Sequence, residues 1–170
     1  MEVLFELIPH FPELEVIDLG GGFKVPYMPD EKETDVSLLA KKIKEAFDNH
    51  PVAGGKKFQL WFEPGKFLVS QCGYLITQVT VLKDTGTTVF AAVDSGLNHL
   101  IRPMMYDAYH HIENISNSDG KEMLYTITGN ICETDTFAAG RSMKEIKEGD
   151  YLVFYNAGAY GFEMASNYNS

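Results

Sequence analysis

Residues 14–22, Leu-Glu-Val-Ile-Asp-Leu-Gly-Gly-Gly, contain a short apolar run that meets three consecutive glycines. Apolar residues at helical spacing precede this stretch and end at Pro12: Val3, Leu4, Leu7, Ile8 and Phe11. A second helix is predicted after Asp35, which is suited to cap it, and a second strand at 58–62. The order of helix, strand, glycines, helix and strand is typical of an α/β fold.

From about Gly73 the pattern changes to closely spaced strands. We predict strands at 74–82, 87–93, 123–128 and 151–156, with tight turns at 84–86, 119–120 and 148–150. Short strands of this kind favour a small β-barrel or sandwich. We therefore divide the chain into an α/β segment, 1–70, and a β domain, 71–170. Two strand–helix units are too few to bury both faces of a parallel sheet, so the α/β segment looks incomplete.

The composition excludes several classes of protein. Of the 170 residues, 45% are hydrophobic and 22% are charged, as in a folded domain, and no run of 18 apolar residues predicts a membrane span. The net charge of −10 argues against a nucleic-acid or anionic-membrane partner. Two cysteines make no disulfide framework, and the first residues lack the basic region of a signal peptide, so we expect a cytoplasmic protein. No Cys/His cluster has the spacing of metal ligands, so no metal is expected.

Two motifs follow the predicted strands of the α/β segment. Gly20-Gly21-Gly22 follows the first strand, where backbone N–H groups can approach a phosphate, although a flexible loop is an equal alternative. Phe62-Glu63-Pro64-Gly65-Lys66 ends the second strand. A carboxylate and a cation at strand ends lie where such folds bind ligands, but taken alone this motif favours a simple turn.

The β domain contains three further candidates. Arg102, one of two arginines, is suited to bind a carboxylate in bidentate fashion, with a surface ion pair as the alternative. Cys132-Glu133 follows a β run, but a cysteine there, like Cys72, is by itself expected to be a buried apolar residue. Tyr160 lies in a Gly-Ala-Tyr-Gly turn that can place it over a cleft, with a core or rim tyrosine as the alternative.

The order of the motifs is more specific than any one of them. They are residues 17–23, 62–66, 93–96 (Val-Asp-Ser-Gly), 100–103 (Leu-Ile-Arg-Pro), 131–133, 157–161 and the closing Ser-Asn-Tyr-Asn at 166–169. Along essentially the whole chain they resemble the diaminopimelate decarboxylases, pyridoxal-phosphate enzymes of the fold-type III, alanine-racemase-like group. The resemblance implies the C-terminal part of a (β/α)₈ barrel followed by an all-β domain. It also implies decarboxylation of meso-2,6-diaminopimelate to L-lysine.

For the cofactor, the resemblance implies that Gly20, Gly21 and Gly22 bind the phosphate and that Pro64 and Gly65 also bind the cofactor. Glu63 would pair with the pyridine nitrogen and keep it protonated, which makes the ring a better electron sink. Lys66 stands where the family usually has arginine, close to both phosphate and substrate. Lysine supplies the charge without the planar fork of arginine.

For the substrate, an amino acid, the resemblance implies that Arg102 and Tyr106 bind it and that Arg102 holds a carboxylate. Glu133 would bind the distal ammonium group, and Tyr160 would contact both cofactor and substrate. Cys132 would donate a proton across the interface of a homodimer, whose sites are shared between subunits.

The sequence departs from the family in one major respect. No segment resembles the early barrel strand with the lysine that attaches the cofactor, and Lys24, Lys41 and Lys66 lie in other contexts. We therefore expect a C-terminal portion of an enzyme, with its last strand truncated, that is inactive alone. Two alternatives remain: a related decarboxylase of ornithine, arginine or a carboxylated polyamine, and a non-catalytic dimerising β module.

Overall fold

The computed structural model describes residues 1–53 and 55–169. The chain forms two compact units. The first unit comprises Met1–Val25 and Lys32–Gly65, and the second comprises Pro26–Glu31 and Lys66–Ser170.

The first unit is built around two short parallel strands. Its elements are α1 (Glu2–Leu7), which continues into a 3₁₀ turn at Ile8–His10, β1 (Val16–Asp18), α2 (Val36–Asn49) and β2 (Gln59–Trp61). Strands β1 and β2 pair in parallel with Ile17 opposite Leu60, so β1, α2 and β2 form one βαβ unit. The Asp35 carboxylate accepts a hydrogen bond from the Leu38 N–H at 2.9 Å, which confirms the predicted helix cap. The buried side chains of Phe5, Ile8 and Ile17 form the centre of a small hydrophobic core.

The described residues of the second unit form two short α-helices, two 3₁₀ turns at Ser70–Cys72 and Phe162–Met164, and six strands. Their bounds are α3 (Gly65–Val69), which begins at the last residue of the first unit, β3 (Leu75–Asp84), β4 (Val89–Val93), α4 (Arg102–Tyr106), β5 (Ile112–Asn114), β6 (Glu122–Thr128), β7 (Thr136–Lys144) and β8 (Tyr151–Phe154). The strand order in the sheet is β5-β8-β3-β4-β6-β7. Within this six-stranded sheet, the β4–β6 pair is parallel and the other described pairs are antiparallel.

The sheet of the second unit is nearly closed, because its edge strands β5 and β7 also contact each other. A single core fills its interior, and its fully buried members include Val79, Ala91, Val93, Ile127, Leu152 and Phe154. This barrel-like sheet confirms the β architecture predicted from the strand spacing. No helix in the described ranges is long and apolar enough to cross a membrane.

Two of the six strands, β5 and β7, differ from the sequence prediction because their residue pattern does not mark them as strands. Strand β5 is only three residues long, which is too short for a clear alternating pattern. In β7, Gly140 adopts a φ of +58°, and the register with β6 shifts, so the alternation of buried and exposed residues breaks. The other predicted strands agree with the observed ones to within a few residues.

Candidate functional site

The parallel strands of the first unit bring the glycine motif and Glu63 to one edge of the sheet. Gly20–Gly22 follow β1 and Glu63 follows β2, and the Glu63 N–H donates a hydrogen bond to the Gly20 carbonyl at 2.8 Å. A Cβ on Gly21 would lie only 2.6 Å from the Glu63 carbonyl oxygen. Packing against Glu63 therefore requires glycine at position 21.

The glycine loop presents backbone donors. Gly20 and Gly22 have φ of +71° and +83°, values that other residues rarely adopt. The Gly20 N–H donates to Asp18 Oδ1 at 2.8 Å. The exposed N–H groups of Gly21 and Gly22 form no hydrogen bond within the described chain. Free N–H groups on such a loop bind anions, so these residues fit a phosphate group.

Glu63 itself is available for a ligand. Its side chain is exposed, and its carboxylate forms no hydrogen bond or ion pair with any residue that the structure describes. Pro64 and Gly65 lead directly into α3, and the Gly65 N–H turns back to the Glu63 carbonyl at 2.9 Å. The turn expected for this motif is therefore present, and it holds an unpaired carboxylate at the strand end.

In the second unit, Lys66 and Arg102 contact the same aromatic ring. Lys66 Nζ lies 5.6 Å and Arg102 Cζ 5.0 Å from the ring centroid of Tyr27. Arg102 NH1 also donates a hydrogen bond to the Tyr27 hydroxyl at 3.2 Å. Because Arg102 forms no ion pair with a carboxylate of the described residues, the alternative of a surface ion pair is wrong.

Tyr106 and Tyr160 both lie at the surface of the second unit. Tyr106 ends α4 and is 59% exposed, and Tyr160 is 50% exposed in the turn after β8. The backbone of that turn is fixed by two hydrogen bonds, from Ala157 N–H to the Gly73 carbonyl at 2.9 Å and from Gly158 N–H to the Ser70 carbonyl at 3.0 Å. Because the Tyr160 side chain is half exposed, the alternative of a core tyrosine at this position is wrong.

Cys132 and Glu133 lie on the loop between β6 and β7. Both side chains are exposed, as is Cys72, so the expectation of buried apolar cysteines is wrong. Glu133 Oε1 accepts a hydrogen bond from the Tyr168 hydroxyl at 2.6 Å. A thiol and an oriented carboxylate are thus adjacent and accessible in this unit.

The buried carboxylate of Asp135 connects this loop to a second loop through backbone hydrogen bonds. Asp135 is 5% exposed; its Oδ2 accepts from the Ile131 N–H at 2.9 Å and its Oδ1 from the Leu97 N–H at 2.7 Å. A Cβ on Gly129 would overlap this carboxylate. Burial is the largest cause and raises the pKa of Asp135, although the two N–H donors act in the opposite direction. The position of Cys132 is therefore coupled to the loop that contains Leu97.

The family model described as "Pyridoxal-dependent decarboxylase, C-terminal sheet domain" matches residues 16–158. The chain belongs to the pyridoxal-dependent decarboxylase family. Within this family, a diaminopimelate decarboxylase of Aquifex aeolicus is 41% identical over 158 residues, which are 92% of this chain and 36% of that protein. One from Escherichia coli K12 is 38% identical in an alignment of 182 positions, gaps included, which covers 97% of this chain and 42% of that protein.

Solved structures of the family agree. The crystal structure of diaminopimelate decarboxylase from M. jannaschii matches with a TM-score of 0.89 at 35% identity, over 99% of this chain and 39% of that one. A lysine/ornithine decarboxylase from Vibrio vulnificus, complexed with cadaverine, has a TM-score of 0.80 at 22% identity and shows the fold alone. The resemblance predicted from the motifs is confirmed. The chain spans about two fifths of the length of these relatives.

Four residues that support the family motifs were not assigned a role from the sequence: Tyr27, His110, Asp135 and Tyr168. Asp135 and Tyr168 lie within or beside quoted motifs, and His110 lies close behind Arg102. For these three, proximity to a motif was the available signal. Tyr27 gave none, because it lies 75 positions from Arg102 in the chain.

Proposed function

We propose that this chain supplies cofactor- and substrate-binding residues of a diaminopimelate decarboxylase, which converts meso-2,6-diaminopimelate to L-lysine and CO₂. The observation that carries the proposal is the presence in one unit of Arg102, a cation that pairs with no carboxylate of the described residues, and Glu133, a carboxylate oriented by Tyr168. Because the reacting carboxylate leaves as CO₂, a substrate with a second carboxylate and a distal ammonium group matches these two charges. The diaminopimelate decarboxylases among the relatives support this choice of substrate.

The first unit would bind the cofactor. The free N–H groups of Gly21 and Gly22 bind its phosphate, and the unpaired Glu63 carboxylate keeps a proton on its pyridine nitrogen. Pyridoxal phosphate, when bound, supplies an electron sink for the charge left as CO₂ departs. Lys66 adds positive charge near the phosphate and substrate, but without a fork it fixes no bidentate geometry.

The second unit would bind the substrate. Arg102 holds a carboxylate, Tyr106 and Tyr160 close around the substrate, and Glu133 binds its distal ammonium group. Cys132 Sγ donates the proton to the substrate carbon that has lost CO₂. In a homodimer, Cys132 acts in the site of the partner subunit. Four of these five side chains are exposed, and the guanidinium of the fifth, Arg102, is held by a hydrogen bond to Tyr27; both observations support the roles.

The chain has no segment resembling the barrel strand with the cofactor-attaching lysine, so we propose that it releases no CO₂ alone. Enzyme-rate CO₂ release by the purified chain with pyridoxal phosphate and meso-diaminopimelate would contradict this. Light scattering would at the same time measure dimerisation. A stable dimer that leaves the absorption spectrum of pyridoxal phosphate unchanged would instead favour the non-catalytic β module.

The substrate is tested in a chimera in which residues 16–170 replace the corresponding C-terminal part of the Aquifex aeolicus enzyme. We expect the chimera to prefer meso-diaminopimelate over ornithine, arginine and carboxylated polyamines. Glu133→Gln should lower kcat/KM for meso-diaminopimelate by about 10–100-fold, because the distal ammonium loses its charged partner. Equal kcat/KM for ornithine and meso-diaminopimelate would favour the related decarboxylases.

A further inference from the structure

The guanidinium of Arg102 is held through one of its three nitrogens. NH1 donates a hydrogen bond to the Tyr27 hydroxyl at 3.2 Å and lies 3.3 Å from His110 Nε2. NH1 carries two hydrogens, so these two contacts use both of them. Within the described chain, the guanidinium of Arg102 forms its hydrogen bonds through NH1 alone, which leaves the Nε–H and NH2 edge for a ligand.

The tautomer of His110 follows from its other contact. His110 is 2% exposed, and its Nδ1 lies 2.8 Å from the carbonyl oxygen of Tyr155. Because a carbonyl oxygen only accepts, Nδ1 carries the hydrogen, and Nε2 of the neutral ring presents its lone pair to Arg102. Burial first, and then the charges of Arg102 and Arg141, lower the pKa of His110, although the Tyr155 contact acts in the opposite direction. The ring is therefore a neutral acceptor.

Two further contacts within the second unit hold the Tyr27 side chain. Its hydroxyl lies 3.3 Å from the Ser70 hydroxyl, and its ring packs edge-on against His110 with centroids 5.8 Å apart. Tyr27, His110 and Arg102 thus form one connected cluster. Removal of a single acceptor would free one NH1 hydrogen and allow the guanidinium to rotate.

We infer that His110 and Tyr27 are positioning residues that fix Arg102 so that its Nε–H and NH2 edge binds a carboxylate in side-on, bidentate geometry. This inference rests on the proposed function, in which Arg102 is the ligand of a substrate carboxylate. It explains why the buried histidine beside the Arg102 guanidinium is neutral and accepts a hydrogen bond. It also distinguishes Arg102 from Lys66, which contacts the same ring but has no second edge to orient.

The test uses nuclear magnetic resonance of the complete chain. The sequence has two arginines, so the Nε–Hε region contains two arginine signals, which Arg141→Lys assigns. Titration with meso-diaminopimelate should shift the Arg102 Nε–Hε signal downfield. The ¹⁵N shifts of the His110 imidazole should show protonated Nδ1 and unprotonated Nε2.

Two substitutions separate the roles of the two imidazole nitrogens. In His110→Asn, the amide nitrogen still donates to the Tyr155 carbonyl but NH1 of Arg102 loses an acceptor. In His110→Gln, the amide oxygen replaces Nε2 as that acceptor. We expect His110→Asn to move the Arg102 Nε–Hε signal and to weaken binding of the probe, meso-diaminopimelate, about tenfold or more. This is the effect of losing a hydrogen bond to a charged group. Gln should restore binding to within about threefold of the parent chain.

The two hypotheses fail in different ways. If the probe shifts the Arg102 signal but His110→Asn changes neither that signal nor the affinity, the positioning role is overturned and the proposed function stands. Protonated Nε2 in the parent chain would also overturn it. If the probe never shifts Arg102 while His110→Asn still moves its signal, the carboxylate-binding function fails and the positioning role stands. The amide spectra of both variants verify folding.

Discussion

Replacing Asp135 with alanine should release the loop that carries Cys132 and Glu133. The Asp135 carboxylate is the acceptor for two backbone N–H groups, from Leu97 at 2.7 Å and Ile131 at 2.9 Å. Because Asp135 is only 5% exposed, water does not readily replace it. Asp135→Ala therefore leaves both donors without an acceptor.

The magnitude follows from the two lost contacts. A hydrogen bond to a charged acceptor contributes about 1.5–3 kcal/mol, so two contribute about 3–6 kcal/mol. The burial that raises the pKa of Asp135 offsets part of this stabilisation. We therefore expect Asp135→Ala to lower the free energy of unfolding by about 3 kcal/mol. At each of the two amides, the loss of about 1.5–3 kcal/mol corresponds to roughly 10–150-fold faster hydrogen exchange.

The assay is hydrogen exchange at the Leu97 and Ile131 amides, followed by nuclear magnetic resonance, with urea unfolding for global stability. Asp84→Ala is the matched control, because exposed Asp84 accepts a single hydrogen bond, from the Gly86 N–H at 2.7 Å. We expect the control to cost about 1 kcal/mol or less. Unchanged exchange at both amides in Asp135→Ala would refute the role of this carboxylate.

Three further predictions concern the glycine loop, the core and the pH dependence. Gly21→Ala should destabilise the first unit by about 1–3 kcal/mol in urea unfolding, because its Cβ would lie 2.6 Å from the Glu63 carbonyl oxygen, whereas Gly65→Ala, with open space around its Cβ, should not. Leu152→Ala, at a fully buried site, should lower the free energy of unfolding by about 2–5 kcal/mol. Leu124→Ala, at a position that is 64% exposed, should lower it by about 0.5 kcal/mol or less. The hydrogen bond from Tyr155, and then that from His111, lowers the pKa of Glu113 in the folded chain, so its stabilisation is complete above its ordinary pKa and is lost as the pH falls through the lower, folded value. Tyr155→Phe should make the free energy of unfolding depend less on pH in this acid range. An unchanged pH dependence would contradict the role of the Tyr155 hydroxyl.

The elements that could be predicted from the sequence are those set by local spacing. The cap at Asp35, the helix after it and the strands on either side follow from residues within a few positions of one another. The glycines at the end of β1 and Glu63 at the end of β2 could be placed together because both strands point the same way in a parallel pair. The motif order then identified the family.

The contacts that hold the candidate site together could not be predicted in this way. Asp135 binds an N–H 38 positions away, and Arg102 binds a hydroxyl 75 positions away. Such pairs depend on how the strands of the sheet are arranged, including the parallel β4–β6 pair, which no local pattern specifies. The exposure of Cys132 and Cys72 was mispredicted for a related reason, since burial is a property of the packed fold rather than of the residue type.

The central claim is that this chain supplies the substrate site of a diaminopimelate decarboxylase. Its most direct test is L-lysine formation from meso-diaminopimelate by the chimera of residues 16–170 with the Aquifex aeolicus enzyme, beside that enzyme itself. We predict that the chimera forms L-lysine and CO₂ in equimolar amounts. Arg102→Met, which removes the carboxylate ligand, should lower its kcat/KM by about 100-fold or more. A folded chimera that binds pyridoxal phosphate but forms no L-lysine, while the parent enzyme does, would contradict the claim.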